Sequence, residues 1–536
     1  MKTLLSPIAG SLFALAFGAA LTSAFGASYT WDSDANATIG TPAASTPGSG
    51  TWNYVNANWN LAGSAGSDST WVDGSDAVFA GSDGSYAITV GSALTVNNIT
   101  FSNSGYTLSA ASVLKLTGNT ANNLVTVASG ATATIGNNVT FTSSVGAVVM
   151  SLAGTTAPGG TAGTLIIDNG GKVSAGFGGA GNSILYIGST ANTALKATTV
   201  QVNTGGTILG EGAVVANGLL KVEGGSVTSS LGNIVIGNFA DANMPTSAVL
   251  TIDSGTVTVG NTSNGVRFGT VANTANTGGT LNLNGGTLTT GKIYSGGTSN
   301  SSTVNFNGGT LKAATNNTGF LSSTLINNAI VKAGGAIIDT NTFNVTISKA
   351  LTHDTSLGGT ADGGLTKIST GTLTLSGNNT YTGATTISGG TLALGAANRI
   401  ADSSNLVMSG GTFATGGFSE TLGTLTLSAN SVIDLGSGTS ALVFANSSGT
   451  TWGTSISLSF VNFTTGVDTV RIGTSSSGLT GAQLAVITIN GSAATIDSNG
   501  FLAIAAIPEP STCTALFGAL ALAGTALRRR HLKKSE

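Results

Sequence analysis

A short run of alternating apolar and polar residues, a glycine pair and a second short alternating run recur along the middle of this chain. No other feature limits its possible folds so tightly. The unit stands out in Thr164-Leu165-Ile166-Ile167-Asp168-Asn169-Gly170-Gly171, in Leu250-Thr251-Ile252-Asp253-Ser254-Gly255-Thr256-Val257, in Thr280-Leu281-Asn282-Leu283-Asn284-Gly285-Gly286-Thr287-Leu288 and in Val304-Asn305-Phe306-Asn307-Gly308-Gly309-Thr310-Leu311. A period of two puts Leu, Ile, Val and Phe on one side of a strand and Thr, Asn and Ser on the other. The turn glycines at 171, 206, 225, 255, 286, 309, 335, 364, 390 and 411 are spaced by about 27 residues, inside the 20 to 50 residue range of stacked repeats. Strands that pair with the next repeat at about 4.8 Å build a continuous aliphatic core, and glycine supplies the positive φ of each corner. The pattern predicts an all-β, right-handed parallel β-helix over residues 106–440, with about 10 to 14 coils and a length of about 50 to 65 Å. Leu281, Leu283, Val304, Phe306, Leu373 and Leu375 are expected to point inward. A sandwich or propeller would need more regular spacing or two-residue hairpins.

Such a surface needs few charges, and the chain has few. Of 536 residues, 18 are Lys or Arg, 21 are Asp or Glu and 80 are Gly; ordinary domains have about 25% charged residues. The poverty of charge argues against a cytosolic protein, and the regular aliphatic bursts argue against disorder. Cys513 is the single cysteine, which excludes an intrachain disulfide and any thiolate zinc site. The histidines are His353 and His531, so one imidazole serves the whole body and most metallohydrolase designs are excluded. No cofactor or metal is expected.

Both ends carry addresses. Lys2 precedes an apolar run from Ile8 to Leu21 and the small residues Ala24-Phe25-Gly26-Ala27, the pattern of a secretory signal peptide over 1–26 cut by signal peptidase. At the other end, Ile507-Pro508-Glu509-Pro510-Ser511 precedes an apolar segment over 512–527 and the run Arg528-Arg529-Arg530-His531-Leu532-Lys533-Lys534. Sixteen helical residues reach about 24 Å, short of the roughly 30 Å hydrocarbon core, and the cations should hold the end in the cytoplasm. With Lys2 and the tail removed, the body holds 12 basic and 19 acidic residues, so nucleic acid is not an expected partner. Residues 507–536 resemble the PEP-CTERM sorting signal of Gram-negative bacteria. That resemblance implies an exosortase that recognises and cleaves near Pro508, Glu509 and Pro510, with Arg528, Arg529 and Arg530 as the membrane-stop cluster. Transient anchoring in the inner membrane through 512–527 is expected.

Gly363-Gly364-Leu365-Thr366-Lys367, Gly371-Thr372-Leu373-Thr374-Leu375 and Asn379-Thr380-Tyr381-Thr382-Gly383 closely resemble the autotransporter-associated β-strand repeat, here placed at 363–394. The resemblance implies a parallel β-helical passenger on a bacterial surface. An autotransporter adds a C-terminal barrel, and the basic tail here predicts that the chain does not translocate itself. Residues 27–105, with Trp31, Trp52, Trp59 and Trp71, are similar to the Trp-rich start of such passengers and are expected to cap the first coil. Residues 441–506 resemble the strand-rich module that precedes this sorting signal, and are expected to form a C-terminal β module.

Chemistry-bearing clusters are sparse. Gly176-Phe177-Gly178-Gly179-Ala180-Gly181 matches G-x-G-x-x-G, yet the following residues read as a strand where a dinucleotide site needs a helix. His353 and Asp354 are neighbours that would face opposite sides of a strand, so a solvated turn is expected rather than a catalytic pair. Asp32-Ser33-Asp34 and Asp73-Gly74-Ser75-Asp76 read as turns, since neither supplies a full calcium loop. The expected function is an exported, surface-associated structural or adhesive protein, non-enzymatic, in contact with an exopolysaccharide matrix. The alternative is a β-helical polysaccharide lyase or hydrolase whose carboxylates meet across coils.

Overall fold

The computed structural model describes residues 27–506 apart from 34–45, 62–67, 118–124, 144–148, 155–162, 176–183, 188–197, 211–212, 217, 238–247, 261, 270–278, 297–301 and 323–325. The segment 1–26 expected to be a signal peptide, the tail 507–536 with Pro508, Glu509, Pro510, Arg528, Arg529 and Arg530, the Gly176–Gly181 run and Asp34 all lie outside the described residues. The strand expected after that glycine run is present at Ile184–Ile187. No helix among the described residues is long and apolar enough to cross a membrane.

The chain is all-β, and its strands fall into three parallel ladders, the arrangement of a parallel β-solenoid. On the first face, Gly50–Trp52, Tyr86–Val90, Tyr106–Ser109, Thr132–Ile135 and Gly163–Ile167 pair in succession, and the ladder continues to Thr352–His353. A second face runs from Val113–Leu116 through Thr287–Thr290 and Thr310–Ala313 to Leu425–Ala429. The third ends at Leu458–Val461 and Ile487–Ile489. Parallel pairing crosses residues 105 and 440 without interruption.

In-register stacking places like side chains on like. Leu220, Leu250, Leu281, Val304 and Ala329 form one column, and Leu373, Leu392, Phe413, Ile433 and Phe460 form another; all are fully buried. Leu281, Leu283, Val304, Phe306, Leu373 and Leu375 point inward as their alternation requires. Coil length varies, from 19 residues between Leu373 and Leu392 to 35 between Ile167 and Val202, because loops at the corners absorb insertions while the strands keep register. The glycine pairs divide two tasks. Gly170 takes φ +87°, whereas a Cβ on Gly171 would lie 2.2 Å from the Ile135 carbonyl of the preceding coil. One glycine turns the chain, and the other admits the close approach of the coil beneath.

Outside, amides replace charges. Asn305 donates to Asn282 Oδ1 at 2.8 Å, Asn282 to Thr251 Oγ1 at 3.1 Å and Asn284 to Asp253 at 2.9 Å.

Antiparallel pairing among the described strands is confined to the two ends. Ser28–Trp31 pairs antiparallel with Trp59–Leu61, and Ser492–Ile496 pairs antiparallel with Ile487–Ile489 and with Leu502–Ile504. Reversing the strand direction covers an edge that would otherwise template another chain. At the N-terminal end, Trp59 lies with its centroid 5.2, 5.0 and 4.8 Å from Trp31, Trp52 and Trp71. All four indoles are buried, so no ring face is left as a platform for a sugar.

Phe306→Ala should destabilise the solenoid by about 3–5 kcal/mol, since it opens a cavity in a filled column. Asn305→Ala on the outward side should cost about 1 kcal/mol or less. Urea unfolding of the two variants beside the unmodified chain measures the difference.

Candidate functional site

The first face is where the regular ladder lapses. It stops at Thr352–His353 and resumes as a separate three-stranded sheet at Glu420–Leu422, Ala441–Phe444 and Thr469–Ile472. Between them, scattered backbone bonds such as Thr380 N–H to the Leu351 carbonyl at 2.9 Å persist, and side chains add to the bonding from coil to coil. Asn379 accepts from the Leu351 amide at 2.8 Å and donates to the Arg399 carbonyl at 2.7 Å. Glu420, 1% exposed, accepts from the amides of Arg399 and Ile400 at 2.7 and 3.4 Å. Burial pushes its carboxyl up to about 7, against the pull of those two amides.

His353 and the acids lie in the same seam. The partner of His353 is Asp362 at 2.9 Å, and the Thr382 hydroxyl stands 3.1 Å from the same ring nitrogen, Nδ1, while Nε2 faces the Gly358 carbonyl at 3.3 Å. Asp362 accepts from the amides of Gly364, Thr382 and Gly383 as well. Burial raises its pKa, but the hydrogen bonds from Thr382, Gly383, His353 and Gly364 outweigh it and hold the carboxyl below the usual range. The hydrogen bond to Asp362 in turn raises His353. Lys332 bonds Asp354 at 2.9 Å and is the leading cause that brings this carboxyl down to about 2.

The expectation of a solvated turn at His353-Asp354 holds in part: Asp354 does open a turn, accepting from the Ser356 amide at 3.0 Å at the head of a short 3-10 helix over Thr355–Leu357, but it is 9% exposed and accepts from Lys332 on the preceding coil, and the imidazole is held between two coils. Adjacent residues do face apart, as strand geometry demands, but a carboxylate nine residues on completes the contact. A hydroxyl–imidazole–carboxylate relay needs the hydroxyl and the carboxylate on opposite ring nitrogens. Here both converge on Nδ1, an arrangement that clamps coils and cannot pass a proton from Thr382 through the ring.

Lys367 is the residue that sequence reasoning missed most plainly. It occupies the inward column of the second face, directly between Ile338 and Ile387, and is fully buried. Its ammonium donates to the carbonyls of Ile368, Ser369 and Gly389 at 2.9, 2.7 and 3.0 Å. Ser369 turns this corner at φ +66° without a glycine, and the three carbonyls match the three N–H bonds of an ammonium. Burial lowers the pKa to about 8, which leaves Lys367 mostly charged at neutral pH. The alternation Leu365-Thr366-Lys367 already places the lysine inward, and that was the available signal. Tyr381, also fully buried, bonds Thr385 at 2.7 Å, and Thr385 bonds Ser404 at 3.0 Å.

Other acids are held by neighbouring polar groups or by a lysine. Asp73 accepts from the Tyr54 hydroxyl and the Thr95 amide, and Asp76 from Asn97 and Asn98. Glu223 and Asp253 share Lys221. Two open grooves on the C-terminal coils, each about 360 Å³, hold Asp402 with Arg471 in one and Asp468 in the other.

Comparison with known proteins adds three findings. Residues 365–394 match the Passenger-associated-transport-repeat and therefore contain Lys367, Asn379 and Tyr381. Residues 506–530 match the PEP-CTERM protein-sorting motif. A 204-residue stretch is 31% identical to the Adhesin BmaC autotransporter of Brucella suis biovar 1 (strain 1330), which covers 37% of this chain and 5% of that protein's length. No solved structure matches.

Lys367→Met should destabilise the protein by roughly 2–4 kcal/mol, because three corner carbonyls lose a charged donor inside the core. For the pH dependence, His353 has a folded-state pKa above its ordinary 6.5, and Glu420 one near 7 against 4.5. Each contribution is complete below the unfolded value and is lost as pH rises through the folded one. The urea midpoint should therefore fall between about pH 5 and 8, and the pair His353→Gln and Glu420→Gln should flatten that slope.

Proposed function

We propose that this chain is an exported, surface-associated structural and adhesive solenoid whose C-terminal segment is processed by an exosortase-type system. The match of residues 506–530 to the PEP-CTERM protein-sorting motif carries the reading. The transport repeat at 365–394 and the similarity to an autotransporter adhesin support the surface address and the adhesive role. An outer face rich in Thr and Asn ladders and sparse in charge suits contact with a hydrated polysaccharide matrix, where hydroxyls meet hydroxyls and amides.

The role is non-enzymatic in this reading. The acids nearest the one body imidazole are occupied as coil-to-coil acceptors: Asp362 takes three amides and His353, and Asp354 takes Lys332. Signal peptidase acts after Gly26, and the segment 512–527 anchors the protein in the inner membrane until the exosortase cuts. The Pro508-Glu509-Pro510 motif is the recognition element in this reading, since two prolines disfavour a helical backbone.

Mass spectrometry of protein recovered outside the inner membrane of a host with the matching exosortase should find C-termini near Pro508 to Ser511. Pro508→Ala with Pro510→Ala should leave uncut protein in the membrane fraction. An intact peptide from Ile507 through Leu527 in the exported material would refute processing.

A further inference from the structure

On the third face, two consecutive coils bring two cations and a tyrosine together, beside an asparagine of the coil before them. Val235, Arg267 and Tyr294 follow one another in register on this ladder, Val235 buried and the other two half-buried. The Lys292 ammonium sits 4.6 Å from the Tyr294 ring centroid, and the Tyr294 hydroxyl donates to Asn233 Oδ1 at 3.0 Å. Asn233 is itself fixed by the Gly265 amide at 3.0 Å. Arg267 leans on the Tyr294 hydroxyl, and its Nε is buried with no acceptor. Among the described residues neither cation forms an ion pair, although acids outnumber bases in the chain. Lys221, Lys312 and Lys332 each have a carboxylate, and what sets Arg267 and Lys292 apart from the other cations without one is that both converge on a single tyrosine. The Arg267 Nε is closed to solvent, so what the pair can offer a ligand is the rest of the guanidinium and an ammonium held over a ring, neither with a carboxylate partner, and such donors suit an anion with several acceptor oxygens.

We propose that Arg267, Lys292 and Tyr294 form a binding site for an acidic polysaccharide, one with carboxylate-bearing sugars. The site rests on the matrix-associated reading above and adds its ligand chemistry. Charge spacing favours a uronate chain over nucleic acid. Coils rise by about 4.8 Å, close to the length of one sugar, so the two cations meet one or two carboxylates. A duplex carries a charge per about 1.7 Å, which an acid-rich body would repel beyond this small patch. Tyr294 orients both cations through its ring and its hydroxyl.

Binding of the purified full chain to alginate, dextran and duplex DNA tests this without any dependence on export, so a failure here is distinct from a failure of sorting. Alginate should bind, salt should weaken it, and dextran and DNA should not compete. Arg267→Ala with Lys292→Ala should weaken alginate binding about tenfold or more with an unchanged thermal transition, and Lys292→Arg should retain it. Should the double variant not fold, Lys292→Gln removes only the half-exposed cation, and a severalfold loss is still expected. Equal binding by the variants, no binding of alginate, or preference for DNA would overturn the proposal.

Discussion

Everything in this molecule depends on one contact, the parallel pairing of each coil with the next at about 4.8 Å. Because the pairing is in register, position n of one coil sits on its equivalent in the next, and the choice of residue at one position constrains the whole column. Leu250 lies on Leu281 and Leu281 on Val304. A polar group in such a column must bring its own partners. Lys367 does so with three carbonyls of its corner, and it interrupts an aliphatic column without leaving a donor unmet.

The same constraint explains the scarcity of charge. A charge repeated in every coil would stack on itself at a spacing where like charges repel. Thr and Asn stack without that penalty, because an amide can donate to the coil on one side and accept from the other. Asn282 does both, giving to Thr251 and taking from Asn305. Where the ladder lapses after His353, the remaining backbone bonds are supplemented by side chains with two or more acceptor or donor sites: Asn379, Asp362 and Glu420. The seam that most resembles a reactive cluster is thus the place where backbone pairing needs supplements.

The sequence made the columns legible because alternation and glycine spacing are local signals. Period two alone places Phe306 and Leu373 inside, and the burial of Trp31, Trp52, Trp59 and Trp71 fits their crowding near one end. What alternation could not supply was lateral information. The His353–Asp362 contact needs the path of the loop between them, and Asp362–Gly383 spans a coil whose length varies from one repeat to the next. Arg267 and Tyr294 lie in separate coils, and only the register between those coils makes them neighbours. Lys367 was readable in principle, but a lysine at an inward position reads as an exception until its three acceptors are seen.

Export and architecture also fit each other. A chain that crosses a membrane through a secretory channel arrives unfolded and must fold without cytosolic help. With Cys513 as its single cysteine, this one needs no disulfide exchange. Each coil contacts mainly its neighbours, so stability accumulates as nearest-neighbour terms and a formed coil templates the next. The hazard of that mechanism is an exposed growing edge, which invites pairing with another chain. The antiparallel turns at Trp59–Leu61 and Ser492–Ile496 close the two ends by reversing direction, so the interaction that builds the solenoid is also the one that its ends are shaped to stop.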